Sequence, residues 1–476
     1  MKQTCYSNYT QAFMKKISYS VIQLLLICIL IAGSCKQQTG TFTLLPAPDV
    51  LPTPSHIEWA EAEIGVIIHF DVVNFRPDYN FRRWGTHPPV SVFNPVNLNT
   101  DQWLEAAQSL GAKYAVLVAK HCSGFSLWPT KAHDYHIGSS LWKDGKGDIV
   151  GDFFASCKKY GIKPGLYCSV STNGYLQVDD PGKVVSGDPE EQKRYNAIAI
   201  RQLTELWSNY GEVFEIWFDG GIMSPEEGGP DIAPLLEKLQ PKAVVFQGPI
   251  ANKHLLRWIG NENGRTPYPH WSATDAGTTS AGTIKIPDLH GNPDGKIWSP
   301  GEADFPMRTG WQGGWFWRAT NQRLLTKDQI MDRYYTSVGH NSNMLLGIVI
   351  DTTGVVPAED CEILAAVGNE IKQRFGKSIA ETSGKGQTIE IKTGKKPVSV
   401  NHIIIQENIA LGERIRKYSV EAFVDKKWQQ VCEGISVGHK RIQQFPTVQT
   451  DKIRLKIEES AGKPDVKNFA VYYIYD

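Results

Sequence analysis

Between residues 64 and 246 the chain repeats one pattern, a short apolar and often β-branched run followed by a stretch with helical periodicity. Residues 65–70, 114–119, 163–168, 214–218 and 243–246 have the length of buried strands, too short for helices. The stretches between them, from Thr100 to a stop at Gly111 and over 148–160, 189–210 and 234–239, read as helices. Units of this kind join parallel strands by right-handed crossovers. No GxGxxG or GxxxxGK[ST] follows any of these strands, so an open nucleotide-binding sheet lacks its usual signature. The expected fold is therefore α/β, a (β/α)8-like, TIM-type barrel. Chemistry in such a barrel gathers where strands end at the C-terminal edge. Here those ends read His69, Lys120-His121, Tyr167 and Asp219.

A chain of 476 residues exceeds one ordinary core, and its texture changes after a last helix near 357–375. Residues 376–387 read as a polar linker. The short strands at 388–391, 398–406, 418–424, 428–431, 452–457 and 471–474 predict an antiparallel β-sandwich over 388–476. At the other end, Lys15 and Lys16 precede an apolar run over 21–31 and then Ala32-Gly33-Ser34-Cys35, the layout of an export signal over 1–35. The run is short for a bilayer span. Cys35 after small residues resembles a lipoprotein processing site, so the expected location is periplasmic or outer-membrane, held by a lipid on Cys35. The barrel is assigned to 36–375.

Lys+Arg and Asp+Glu both total 50, and no long basic run occurs, which disfavours nucleic acid as a partner. Besides Cys35, an exported chain keeps Cys122, Cys157, Cys168, Cys361 and Cys432. That number is odd and no CxxC pair occurs, so the spacing suggests neither a disulfide framework nor a zinc site.

Two segments carry carboxylates in settings suited to chemistry. Glu215-Ile216-Trp217-Phe218-Asp219-Gly220-Gly221 places an acid just past an apolar strand, before glycines that allow close backbone approach. Read without context, Asp219 could equally cap the strand. Ile297-Trp298-Ser299-Pro300-Gly301-Glu302-Ala303-Asp304 reads as an aromatic-rich loop with two acids, leading into Arg308 and a Trp-dense stretch over 311–317. Glycoside hydrolysis needs two carboxyl groups about the scissile bond, one kept protonated by its surroundings. Asp219 at a rigid strand end suits a nucleophile. Glu302 on a loop beside Trp298 suits the acid/base.

Over residues 59–375 the chain resembles glycoside hydrolase family 29, the α-L-fucosidases. The resemblance is carried by Ile68-His69-Phe70, by Phe93-Asn94-Pro95 with Trp103, by Lys120-His121 with Gly124-Phe125, and by Trp217-Phe218-Asp219-Gly220. It implies that Asp219 is the nucleophile of a retaining exo-glycosidase and that His69, His121 and Trp217 contact fucose, with Trp84 and Tyr167. Arg257-Trp258-Ile259-Gly260-Asn261-Glu262 and Trp298-Ser299-Pro300-Gly301-Glu302 are similar to a subfamily that prefers α-1,3/4-linked fucose. The acid/base is expected in the second segment, at Glu302, with Glu262 its competitor. Arg257, Trp298 and Trp315 are expected near the substrate, which would be a fucosylated glycan. The mechanism implied needs no metal and no cofactor.

The chain departs from the family where Lys-His-His-Asp-Gly-Phe is usual and Lys120-His121-Cys122-Ser123-Gly124-Phe125 stands instead; a thiol is a poor substitute donor for histidine. Asp71 also stands where glycine often follows the His-Phe pair. These changes leave open a carbohydrate-binding barrel without turnover, or an enzyme for a related sugar such as galactose. The tail, through 405–415 and 438–442, resembles the discoidin-like sandwich attached to such enzymes.

Overall fold

The computed structural model describes residues 42–275 and 289–475. The segment read as an export signal, with Cys35, lies outside them. Helix α1 (Pro54–Ala62) leads into eight strands, β1 (Ile64–His69), β2 (Tyr114–Lys120), β3 (Lys163–Cys168), β4 (Glu215–Trp217), β5 (Val244–Phe246), β6 (Leu255–Trp258), β7 (Gly301–Pro306) and β8 (Asn343–Val349). They pair in parallel, in chain order, and β7 closes the ring by pairing with both β6 and β8.

The strands are continuous apolar runs because both faces are buried. In β2, Ala115, Leu117 and Ala119 join the shell shared with Trp103, Leu104 and Phe153 on the surrounding helices. Tyr114, Val116 and Val118 join Tyr167, Trp217 and Phe246 in a second core, the barrel interior. Helices α2 (Thr100–Leu110), α3 (Ile149–Tyr160), α4 (Pro189–Asn209), α5 (Ala233–Leu239), α6 (Lys327–Thr336) and α7 (Ala358–Phe375) supply the outer layer. Among the described residues, no helix separates β5 from β6 or β6 from β7. The N-terminal mouth is closed by α1. Trp59 Nε1 donates to Glu215 Oε2 at 2.9 Å, and Asn343 Nδ2 donates to the Trp59 carbonyl at 2.7 Å.

The segment expected to be an aromatic-rich loop around Glu302 is instead strand β7, with every residue buried. The residues assigned to a linker include a further strand, β9 (Ala380–Lys385), paired antiparallel with β16 (Asp465–Tyr472). Its sequence has no large apolar side chain, so the pattern misses it. As an edge strand it is held by backbone hydrogen bonds to one neighbour.

Beyond it lie β10 (Thr388–Lys392), β11 (Val398–Glu407), β12 (Ile415–Val424), β13 (Lys427–Gly434), β14 (Arg441–Thr450) and β15 (Lys452–Ala461). One sheet runs β9-β16-β11-β14 and the other β15-β12-β13 with β10 also on β15, all antiparallel. Residues Thr43–Leu45, from before the barrel, add to the second sheet in parallel with β15.

Candidate active site

Beyond the C-terminal ends of β2, β3 and β4 lies a cleft of about 250 Å³, lined by His121, Cys122, Asp219, Gly220 and Trp315 together with Phe81, Arg82, Ser171, Thr172, Asp180, Gln312 and Phe316. Asp219 leaves β4 into a turn that Gly220 and Gly221 make at φ of 69° and 77°, a region costly for side chains with a Cβ. Tyr167 at the end of β3 donates its hydroxyl to Asp219 Oδ2 at 2.7 Å. The Cys122 thiol lies 3.9 Å from the same oxygen. Burial pushes the Asp219 carboxyl above its usual range, while the Tyr167 and Cys122 hydrogen bonds and the Arg82 guanidinium pull it back toward the ionised form.

Around this carboxylate the walls are aromatic. The His121 ring stacks on Tyr167 at 5.7 Å, and Tyr167 stacks on Trp217 at 5.3 Å. His69 packs 5.0 Å from Trp315 and 5.8 Å from His121. Gly347 on β8 makes room for Trp315, because a Cβ there would stand 2.5 Å from the indole ring. Burial holds His121 down to about 4, and His69 well below the usual histidine range, so both rings are neutral near pH 7. Each has a buried Nδ1 without a hydrogen-bond partner among the described residues. Buried polar atoms are normally partnered, so two such atoms beside one carboxylate suit a hydroxyl-rich ligand.

Six of the expected residues therefore meet here: His69, His121, Tyr167, Trp217, Asp219 and Trp315. Four do not. Trp84 is half-buried on the loop that carries Phe81 and Arg82 and does not line the cleft. Arg257 is buried on β6, donating to the carbonyls of Ser299 and Trp271 and bound to His270, so its guanidinium ties strands together. Trp298 lines a different hollow, of about 610 Å³, with Arg416 and Glu413 of the C-terminal part.

Glu302, expected as the acid/base, also lies away from the cleft. It lies near the start of β7, paired with Asn343 at the start of β8, and is fully buried. Its Oε1 accepts from the Tyr114 hydroxyl at 2.7 Å and its Oε2 from Trp217 Nε1 at 3.0 Å. Burial and the Glu302 charge hold Glu215 well above the carboxylate range, so this is a sealed acid pair in the lower barrel. The Glu302 carboxyl does not line the cleft and holds Trp217 from below.

The competing carboxylate, Glu262, does not line the cleft but is bound to Trp315 of its wall. Glu262 follows β6 in an exposed turn with φ of 46°, unusual for a residue with a Cβ. Its Oε2 accepts from Trp315 Nε1 at 3.1 Å. Asp180 does line the cleft, on the side of the Gly220 turn. Phe316 falls in the Trp-dense stretch singled out in the sequence, whereas Arg82, Ser171 and Asp180 sit in loops with no motif to mark them. The two departures from the family pattern meet in space: Ser123 Oγ donates to Asp71 Oδ2 at 2.7 Å.

A family model described as Alpha-L-fucosidase matches residues 50–374. A protein of Oryza sativa subsp. japonica, provisionally named alpha-L-fucosidase 1, is 31% identical over 91% of this chain and 88% of its own length. A crystal structure from Bacteroides thetaiotaomicron, also provisionally an alpha-L-fucosidase, is 38% identical. It superposes with a TM-score of 0.84 over 90% of this chain and 100% of that one. A Ruminococcus gnavus fucosidase solved in complex with fucose shares the fold, with 21% identity and a TM-score of 0.76 over 93% of this chain and 98% of its own.

Proposed function

From the premise that the chain belongs to the α-L-fucosidase family of glycoside hydrolases, we propose a double displacement that releases α-linked L-fucose with retention. Asp219 attacks the anomeric carbon while Glu262 protonates the leaving oxygen. Glu262 then takes a proton from water, which frees the sugar from Asp219. Tyr167 steadies the Asp219 carboxylate for attack. The neutral rings of His69 and His121 hydrogen-bond fucose hydroxyls, and Trp315 borders the leaving group.

The observation that carries this reading is the company of Asp219: a strand-end carboxylate, fixed by Tyr167, in a cleft whose Trp315 wall holds a second carboxylate by its indole N–H. Glu262 takes the acid/base role from Glu302 because it is exposed and is bound to Trp315 of the cleft wall, whereas Glu302 is buried. It takes precedence over Asp180 because Asp180 flanks the nucleophile's own turn, 3.3 Å from where a Gly220 Cβ would stand. A preference for α-1,3/4-linked fucose rests on the likeness of the 257–262 and 298–302 segments to that subfamily. Export with a lipid on Cys35 rests on the N-terminal segment alone.

The test is fucose release from a Lewis-type trisaccharide and from nitrophenyl fucoside. Asp219→Ala is expected to abolish both. Glu262→Gln is expected to lose about 10²–10⁴-fold on the trisaccharide and far less on the nitrophenyl substrate, whose leaving group needs little protonation. The same split in Asp180→Asn instead would move the acid/base role there. Release from the nitrophenyl substrate alone would remove the branched-glycan preference.

A further inference from the structure

One cleft side chain that touches no reacting atom of the sugar in the proposed hydrolysis is the thiol of Cys122, which lies against Asp219. It sits between two groups that can share a cation. One ring nitrogen of His121, the Cys122 sulfur and one Asp219 oxygen all lie within 4.8 Å of one another. Cys122 Sγ stands 3.9 Å from Asp219 Oδ2. Zinc bound at about 2.3 Å to sulfur and about 2.0–2.1 Å to nitrogen or oxygen sets tetrahedral neighbours about 3.5 Å apart. Closing the set therefore takes side-chain shifts of about 1 Å, within the reach of χ rotations at Cys122 and Asp219.

The donors are also of the right kind. Nitrogen, thiolate and carboxylate from three side chains, with a fourth position facing an open cleft, is the pattern of zinc sites that exchange a ligand. The backbone is prepared for it, since His121 and Cys122 directly follow β2 and Asp219 lies just past the end of β4. His121 is neutral and keeps a buried Nδ1 without a protein partner. Asp180 on the same wall adds negative charge, against the single guanidinium of Arg82. Spacing along the sequence could not reveal this, because the third donor is 97 residues away.

We infer that the cleft binds one thiophilic divalent cation, of which zinc is the type, through His121, Cys122 and Asp219. On binding, the Cys122 S–H bond breaks, its proton goes to solvent and a sulfur–metal bond forms, with no change of oxidation state. The bound cation occupies a lone pair of Asp219 and the space above it. Metal and a sugar in this cleft therefore exclude one another, and the enzyme carries a built-in inhibitory site.

The experiment titrates the full chain with Zn²⁺ by calorimetry, and with Co²⁺ by absorption, where a thiolate–cobalt charge-transfer band reports the sulfur. The expected result is one ion per chain, removed by EDTA and displaced by fucose. Cys122→Ala is expected to lose the band and to weaken binding by at least about 100-fold. A Cys361→Ala, Cys432→Ala double variant is expected to bind as the parent does. Alkylation of Cys122, mapped by mass spectrometry in the unaltered chain with and without Zn²⁺, reads the site should the variant fail to fold; protection is expected. No uptake of either ion, uptake unchanged in Cys122→Ala, or alkylation indifferent to Zn²⁺ would overturn the proposal. The cobalt band does not depend on turnover, so it separates failure of this site from failure of the hydrolytic reading. Binding that fucose leaves untouched would place the ion elsewhere.

Discussion

Asp219, Glu302 and Asp304 are acids on or beside barrel strands, and depth alone separates their chemistry. Asp219 lies past the end of β4, where a ligand can reach it, whereas Glu302 lies near the start of β7 beneath Trp217. Glu302→Gln should therefore act through the fold, because Tyr114 and Trp217 each donate to a different oxygen of Glu302 and an amide leaves only one of them an acceptor. A lowered unfolding midpoint and a loss of activity equal on aryl and oligosaccharide substrates are expected, unlike Glu262→Gln. Asp304 lies one layer above Glu302 and accepts from Trp258 Nε1 at 2.7 Å; burial holds it up to about 8. Its neutral form is favoured in the folded chain, so its stabilisation is complete below the ordinary value of 3.8 and is lost as pH rises through about 8. Asp304→Asn removes that dependence. Its melting temperature should gain on the parent between pH 5 and pH 8 in calorimetric scans, and a constant difference would contradict the assignment. At this scale the sequence carried much of the site. His69, His121, Tyr167 and Asp219 were legible because each ends a run whose apolar length marks a strand. Glu302 was misread because Trp, Pro and Gly around it mimic a loop, although β7 is held in the ring by neighbours on both sides.

At the scale of elements, the barrel depends on a few close approaches. Gly65 on β1 lies under the Tyr114 ring, where a Cβ would stand 2.2 Å from the nearest ring atom. Gly65→Ala forces that ring aside and with it the Tyr114–Glu302 hydrogen bond. A destabilisation of about 1–3 kcal/mol is expected, measurable by urea unfolding. The strands before 250 were readable because helices separate them and supply the second period. Strands β6 and β7 were not, since β5, β6 and β7 follow one another without an intervening helix among the described residues, and a 4-residue strand such as β6 has too little pattern to stand alone. Strand β9 escaped for a different reason: Ala-Glu-Thr-Ser-Gly-Lys buries nothing large, and its place is fixed by β16.

Across the whole molecule, barrel and C-terminal sheets are joined by buried polar contacts. Glu413 accepts from Ser272 N at 2.9 Å, Ser272 Oγ at 2.7 Å and Asn341 Nδ2 at 2.6 Å. Glu63, at the end of α1, pairs with Lys440 and His439. Burial pushes its carboxyl up, but these partners outweigh it and hold it at about 2. With a folded value below the ordinary 4.5, this pair stabilises fully above that pH and loses its contribution as pH falls toward 2. Glu63→Gln should cost about 3 kcal/mol near neutral pH and flatten the acid limb of the stability curve. An acid limb unchanged by the substitution would remove Glu63 from the joint. Chain order alone could not show this joint, because its partners are more than 370 residues apart.

The central claim, that Asp219 forms a covalent fucosyl intermediate, is tested most directly by the anomer released first. Proton nuclear magnetic resonance of nitrophenyl α-L-fucoside hydrolysis, recorded before mutarotation, should show α-L-fucose as the initial product. If β-L-fucose appears first, a single displacement operates, and Asp219 does not act as the nucleophile proposed for it.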